Sequence, residues 1–254
     1  MKEFRRDLLR VFEFPDRGSM AAAAADYVAL RLRGLLDSGG RARVIFAAAA
    51  SQSEFLDALA RADGVDWSRV EAFHLDEYVG LAQGDERSFG SWLDRHIFSR
   101  VEPGRVEKLD GGAPDPLAEC ARYGALLSDG GLDLALVGIG ENGHLAFNDP
   151  HVADFEDPFV VKPVELDETS RRQQAREGVF ATAGLVPRQA MTVTMSAILA
   201  SRSVCVVVPG PHKAAAVART LDGPIATSCP ASALRRHSDA VLFVDGAALS
   251  MVAR

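Results

Sequence analysis

Apolar positions recur along the chain in two registers, one helical and one extended. Val28, Leu32, Leu35 and Leu36 share one face of a helix that Ser19 can cap and that runs to about Asp37, with Ser38-Gly39-Gly40 to stop it. Ala42 to Ala47 is a short, nearly continuous apolar run and reads as a buried strand. Ser51 can then cap a helix through about Arg61, with Glu54 completing a capping box. A second strand is expected from about Arg69 to Leu75, followed by a polar, Gly-bearing loop and a helix over Ser88 to Phe98. Asp115-Pro116 supplies a cap and a first-turn proline for the next helix, and Asp129-Gly130-Gly131 closes it. Leu132 to Val137 is the clearest strand. After it come a Gly-rich turn, a long irregular stretch to about Pro163, and a polar helix over Asp167 to Arg176. Ser203 to Val208 and Ala240 to Asp245 read as further buried strands, with helices from about His212 and from Ala247 onward.

Unbroken apolar strands separated by helices imply an α/β fold: a mainly parallel central sheet with helices on both faces, Rossmann-like. No linker, repeat or low-complexity segment divides the chain, so residues 1–254 are expected to form a single domain. In sheets of this kind ligands bind beyond the carboxyl ends of the strands. The places to inspect are therefore just after Ala47, Leu75, Val137 and Val208.

Composition narrows the function. The formal charge of -7 leaves no basic surplus with which to neutralise nucleic-acid phosphates. The three cysteines, Cys120, Cys205 and Cys229, match no metal-binding or redox spacing and read as buried thiols in a reducing compartment. Charged residues interrupt Met1 to Pro15, so no signal-like apolar stretch stands there, and no window approaches the ~20 apolar residues of a membrane span. A cytoplasmic protein acting on a small molecule is the expectation.

Chemistry-bearing residues stand at all four strand ends. After the second strand, Asp76 and Glu77 are adjacent carboxylates in His74-Leu75-Asp76-Glu77-Tyr78, suited to proton abstraction or, equally, to capping and local ion pairs. After Val137 comes Gly138-Ile139-Gly140-Glu141-Asn142-Gly143-His144, which matches G-x-G-x-x-G. A dinucleotide site would need a helix starting inside that motif, and Asn148-Asp149-Pro150 cuts one short. The glycines are better suited to a turn that hugs a phosphate or sugar. His144 follows that turn, and Asp149 could orient its ring. After Val208, Pro209-Gly210-Pro211-His212-Lys213 opens a helix with a cation, which suits a phosphate or a plain turn with a solvated lysine. After Ala47, the small residues Ala48, Ala49 and Ala50 let a ligand approach the backbone, and Ser51 or Ser53 can donate to a phosphate.

Two segments, "FHLDEYVGL" (Phe73 to Leu81) and "GIGENGHLAFNDP" (Gly138 to Pro150), resemble the signatures of glucosamine-6-phosphate deaminases, a family related to 6-phosphogluconolactonases. The resemblance continues through Ser88-Phe89, Leu185 to Leu199 and Lys213, and covers the chain from about Val44 to Asp245. It implies conversion of glucosamine 6-phosphate and water to fructose 6-phosphate and ammonia, with no metal or organic cofactor and with a homo-oligomer as a frequent assembly. It implies that Asp76 is the base for proton transfer between C2 and C1, and that His144 opens the pyranose ring with Asn142 and Asp149 in its group. Lys213 and Arg176 match phosphate ligands, Arg176 by ungapped spacing from Pro150. Ser51, Ala49, Ala50, Glu77 and Gly140 complete the expected binding set. The sequence departs from the family where Asp149 stands for a usual glutamate, one methylene shorter, and where Ala47 to Ser53 replaces a Gly- and Thr-rich loop. The competing readings are a 6-phosphogluconolactonase-type hydrolase, a non-catalytic sugar-phosphate sensor, and a metal-dependent isomerase built on His74, Asp76, His144 and His151.

Overall fold

A computed structural model describes residues 1–38 and 40–253; Gly39, expected to help end the first helix, lies outside the described residues. The strands are β1 (Lys2–Arg6), β2 (Leu9–Phe14), β3 (Ala42–Phe46), β4 (Val70–His74), β5 (Asp76–Tyr78), β6 (Arg105–Val106), β7 (Leu134–Val137), β8 (Val161–Glu165), β9 (Gln189–Val193), β10 (Ser203–Val208) and β11 (Ala240–Asp245). Among the described residues the α-helices are α1 (Arg17–Asp37), α2 (Ser53–Leu59), α3 (Phe89–Leu93), α4 (Ser99–Val101), α5 (Pro116–Ser128), α6 (Glu168–Arg176), α7 (Met195–Leu199) and α8 (Ala214–Asp222), with α3 and α4 joined by a π-helical turn over Asp94–Phe98.

The chain folds as one α/β unit around an eight-stranded sheet of order β1-β2-β11-β10-β7-β3-β4-β6. Every pairing in it is parallel except the β1–β2 hairpin at the edge. The period-two geometry of a strand sends alternate side chains to opposite faces. Val44 and Phe46, Leu134 and Leu136, Cys205 and Val207 accordingly share a core with α1 and α2. Ile45, Ala135, Val137, Val204 and Val206 share the other core with α5, α7 and α8. Burial on both faces is why these strands are apolar throughout rather than alternating.

Strand order reverses between β3 and β7. From β3 the chain builds outward through β4 and β6, and from β7 it builds the opposite way through β10 and β11. Such a switch opens a crevice at the carboxyl ends, because the two loops leave in opposite directions. A second, three-stranded antiparallel sheet, β5-β9-β8, stands beside this crevice. Leu75 hinges the two sheets: its amide donates to Phe46 O of the main sheet, and its carbonyl accepts from Val193 N of the small one.

Several local expectations are corrected. Asp16 caps α1, its Oδ1 accepting from Ser19 N at 2.8 Å, so Ser19 is a helical residue. Ser51 caps nothing; Ala50–Gln52 form a single 3₁₀ turn before α2. Among the described residues no helix follows Ala247; residues 246–252 make consecutive turns and a bend, anchored by Asp245 accepting from Ala248 N at 2.8 Å. The cap at Asp115 is as expected; Ser88 and Asp167, expected as the first residues of their helices, are N-caps as well, each side chain accepting from the first turn.

Candidate active site

The four loops singled out from the sequence converge at the switch point. One cavity is lined by Ala47, Ala49 and Ser51 after β3, Asp76 after β4, Gly138, Gly140 and His144 after β7, and Lys213 after β10.

The β7 loop is shaped by its glycines. Gly143 has φ 93°, and a Cβ there would lie 2.6 Å from Cys229 Sγ. A Cβ on Gly140 would fall 2.1 Å from His144 Nε2, so the imidazole lies flat on that glycine. Ala146, at φ 51°, holds a left-handed backbone that costs a non-glycine residue roughly 1–2 kcal/mol. Strain of that kind is tolerated where the surrounding structure fixes it, and here Phe147 N donates to Thr192 Oγ1 at 3.0 Å and Asn148 Nδ2 to Val193 O at 2.8 Å.

Asp149 is completely buried beneath His144. Its Oδ1 receives His144 Nδ1 at 2.8 Å, Asn142 Nδ2 at 2.9 Å and Ser170 Oγ at 2.5 Å. Burial alone would raise its pKa; the bonds and charge from His144, with those from Asn142 and Ser170, outweigh it and hold the group at about 2. An ionised Asp149 only accepts, so Nδ1 carries the ring proton and Nε2 is left as the free nitrogen on the cavity side. Asn142 also fixes the loop, its Oδ1 accepting from His144 N at 3.0 Å. The aspartate, one methylene shorter than a glutamate, is in direct contact with the ring.

Asp76 and Glu77 have separate surroundings. Asp76 is 7% exposed, and among the described residues its carboxylate accepts no hydrogen bond. Burial raises its pKa well above the usual range, and the charges of Glu77 and Glu177 add to the effect. Glu77 points away from this cavity and accepts from the amides of Tyr78, Phe89 and Gly90 at 3.0, 3.1 and 3.0 Å. It borders a larger cavity of about 630 Å³ that contains neither Asp76 nor His144.

Lys213 is 8% exposed and enters from the turn after β10. That turn is fixed by Asp245, whose Oδ2 accepts from Gly210 N at 2.9 Å. Burial lowers the pKa of Lys213, opposed by the charges of Glu177 and Glu141. Arg176 stands apart from the cavity wall, mostly exposed and ion-paired with Glu141. The side chain of Ala50 also faces outward, although the amides of Ala49, Ala50 and Ser51 have no acceptor among the described residues.

Reasoning from sequence missed the contribution of α6 and the residue after Ser51. Gln174 lines the cavity, its Oε1 accepting from Tyr78 Oη at 2.7 Å. Gln173 accepts from Glu141 N at 3.0 Å and donates to Glu177 Oε1 at 2.9 Å. Ser170, Gln173 and Gln174 are buried polar residues at helical spacing, a polar stripe turned inward that the sequence does display. Gln52, buried in the β3 loop, is the other omission.

The metal grouping weighed as an alternative is not assembled. His74 gives Nδ1 to Asp76 O at 2.9 Å and accepts Leu109 N on Nε2 at 2.9 Å, so both ring nitrogens are spent on backbone. Asp149, His151 and Asp167 do offer ligand atoms within 4.8 Å of one another. Asp149 is committed to His144, and Asp167 caps α6 through Ser170 N at 2.6 Å. The glycine motif after β7 leads into turns rather than a helix, so the dinucleotide geometry is not formed.

A family model described as glucosamine-6-phosphate isomerases/6-phosphogluconolactonase matches residues 15–243. A glucosamine-6-phosphate deaminase of Arthrobacter sp. (strain FB24) is 37% identical over 248 residues, covering 95% of this chain and 92% of its own. One from Bacillus velezensis is 37% identical over 188 residues, covering 73% of this chain and 76% of its own. Among solved structures, a monomeric glucosamine-6-phosphate deaminase superposes with a TM-score of 0.88 at 30% identity, over 95% of this chain and 99% of that one. A 6-phosphogluconolactonase of Thermotoga maritima shares the fold with a TM-score of 0.75 at 20% identity, over 92% of this chain and 98% of that one.

Proposed function

This chain belongs to the glucosamine-6-phosphate isomerase/6-phosphogluconolactonase family, and from that premise we propose that it is an isomerising deaminase, converting glucosamine 6-phosphate and water to fructose 6-phosphate and ammonia. The observation that carries the choice is the carboxylate of Asp76, buried, bonded to no donor among the described residues, and facing the same cavity as His144. Lactone hydrolysis has no carbon-bound proton to remove. Deamination through an enol does, and a desolvated carboxylate with a raised pKa is a stronger base than one in water.

In this reading His144 Nε2 takes the proton of the anomeric hydroxyl and returns one to the ring oxygen, giving the open-chain aldehyde. Asp149 stabilises the imidazolium that forms between these transfers. Asp76 then removes the C2 proton and delivers it to C1. O1 takes up a proton as the C2 amine gives one up, so the C1 carbonyl becomes a hydroxyl-bearing carbon and the C2 amine an imine, with no net change in protons. Water adds to C2 and ammonia leaves with the C–N bond electrons, giving the ketone. Lys213, the Ser51 hydroxyl and the free amides of Ala49 to Ser51 hold the phosphate, joined by Arg176 once it leaves Glu141. Gly140 gives the ring room. Glu77 acts on the site only as a charge behind Asp76.

Asp76, His144, Lys213 and Ser51 line one cavity of a single chain. The homo-oligomer expected from the resemblance would serve regulation or stability, and sedimentation of the purified protein measures it. The buried free thiols of Cys120, Cys205 and Cys229 suit a reducing, cytoplasmic setting. The deciding experiment offers the purified protein glucosamine 6-phosphate, galactosamine 6-phosphate and 6-phosphogluconolactone. Ammonia released with ketose phosphate supports the reading, and lactone hydrolysis without ammonia refutes it.

A further inference from the structure

Gln52 is 1% exposed, yet only one end of its amide is used by the protein. From the loop after β3 it reaches over the end of β7 to β10, where Nε2 donates to Val207 O at 3.0 Å. A Cβ on Gly138 would lie 2.8 Å from that nitrogen, so the glycine after β7 makes the crossing possible. A backbone carbonyl only accepts, which fixes the amide's orientation with the nitrogen on Val207. The other nitrogen proton faces Ser51 Oγ at 3.4 Å, leaving the serine hydroxyl proton free to point outward. Gln52 Oε1 accepts nothing among the described residues, is not sealed away from solvent, and belongs to a side chain that lines the cavity with Asp76, His144 and Lys213.

A locked acceptor at the edge of a phosphate pocket favours a ligand that brings a donor to replace water there. A dianionic phosphate cannot be that donor, because it carries no proton and its oxygens and the amide carbonyl repel each other. The amine at C2 lies at the other end of the sugar, beside the carbon that Asp76 deprotonates. We propose that Gln52 is a specificity-determining residue whose Oε1 takes a hydrogen bond from a sugar hydroxyl beside the phosphate-bearing carbon, at C4 or C5. The inference rests on the sugar-phosphate reading of the pocket. It makes the β3 loop a reader of hydroxyl-bearing chains as well as a phosphate cradle, and it separates sugar phosphates from simple phosphate esters.

The test compares wild type with Gln52→Met, which keeps the side-chain length and removes the acceptor, by calorimetric titration of fructose 6-phosphate and of inorganic phosphate. The expected result is about a tenfold weaker Kd for the sugar phosphate, the loss of one hydrogen bond, with inorganic phosphate unchanged within about twofold. Equal losses for both ligands would make Gln52 a mere prop for the loop and overturn the proposal, as would no loss at all. Because Gln52→Met also gives up the bond to Val207, a second measurement leaves the protein untouched. The 4-deoxy and 5-deoxy analogues of fructose 6-phosphate are titrated, and one of them should bind wild type about tenfold more weakly than the parent. Parent affinity for both analogues overturns the proposal. Wild-type protein that binds inorganic phosphate but no sugar phosphate refutes the underlying functional reading instead, a distinct outcome.

Discussion

Asp76 and Glu77 are neighbours in β5, yet their carboxylates face opposite sides of the strand. Asp76 looks into the cavity with no hydrogen bond among the described residues, while Glu77 is held by the amides of Tyr78, Phe89 and Gly90. Strand pleating alone divides the pair into a carboxylate without a donor and a buttress for the start of α3. Without those three amides Glu77 would be an unpaired buried acid, which is why a charged residue is tolerated there at 2% exposure.

Asp76→Asn keeps the shape of the side chain and removes its basicity. Turnover should fall by a factor of about 10²–10⁴, the usual worth of a positioned general base. Affinity for fructose 6-phosphate should change little, because the phosphate groups are untouched. Stopped-time ammonia assays and calorimetric titration measure the two quantities. Retention of full turnover would remove Asp76 from the mechanism.

The pH profile should report the charge behind the base. Burial lifts the pKa of Glu77 to about 7 from its ordinary 4.5, against the pull of its amide bonds. Between those two values the folded protein holds a proton that the unfolded chain has lost, so the stability contributed by this group declines as pH rises from about 4.5 to about 7. Once ionised, Glu77 raises the pKa of Asp76. Glu77→Gln deletes that charge, so the acid limb of kcat/KM should move to lower pH. Asp149, held at about 2, stays ionised throughout that range and cannot supply the limb. A limb that stays put or moves upward in Glu77→Gln would contradict this coupling.

The parts of this site visible in the sequence are those carried by strand ends. Ala42 to Phe46, Leu134 to Val137 and Ser203 to Val208 are apolar because both sheet faces are covered, and each ends in a loop whose polar residues must then face the crevice. The small sheet escaped notice because β5 is the three-residue segment Asp-Glu-Tyr, polar in two positions, and is defined only by its pairing with β9. Arg176 was placed by spacing, but its partner was not: the bond to Glu141 joins residues far apart in sequence, through the packing of α6 over the β7 loop. Gln52 carries no local signal either, since its role depends on a carbonyl in β10.

The His144–Asp149 pair should control ring opening rather than the later steps. Asp149→Asn loses the ionised acceptor for Nδ1, and the ring can then take the tautomer that hides the useful nitrogen. A charge-assisted bond of this kind is worth roughly 1.5–3 kcal/mol, so turnover of the cyclic substrate should fall by about ten- to a hundredfold. His144→Gln should be at least as severe. An open-chain substrate analogue that bypasses ring opening should be affected much less in both variants. Equal losses on cyclic and open-chain compounds would assign the pair to a different step.

The ion pair between Glu141 and Arg176 predicts two variants that move affinity in opposite directions. In this structure Glu141 is paired with the guanidinium that the proposed function gives to the phosphate, and its charge also acts on the buried Lys213. The incoming phosphate therefore competes with a carboxylate for its own ligand, and part of its binding energy goes to separating an exposed pair worth about 0–1 kcal/mol. Glu141→Gln removes the competitor, and KM should fall by roughly two- to fivefold, the amount that pair strength permits. Lys213→Ala deletes the buried cation and should raise KM by tenfold or more, on the order of one lost charged hydrogen bond. Because both act on ground-state binding of a group remote from the reacting carbons, kcat should change less than KM in each. Initial-rate kinetics over a substrate range, repeated at higher salt, measure both, and the exposed pair should lose its influence as ionic strength rises. A higher KM in Glu141→Gln would mean that Glu141 orients Arg176 for the phosphate instead of competing for it.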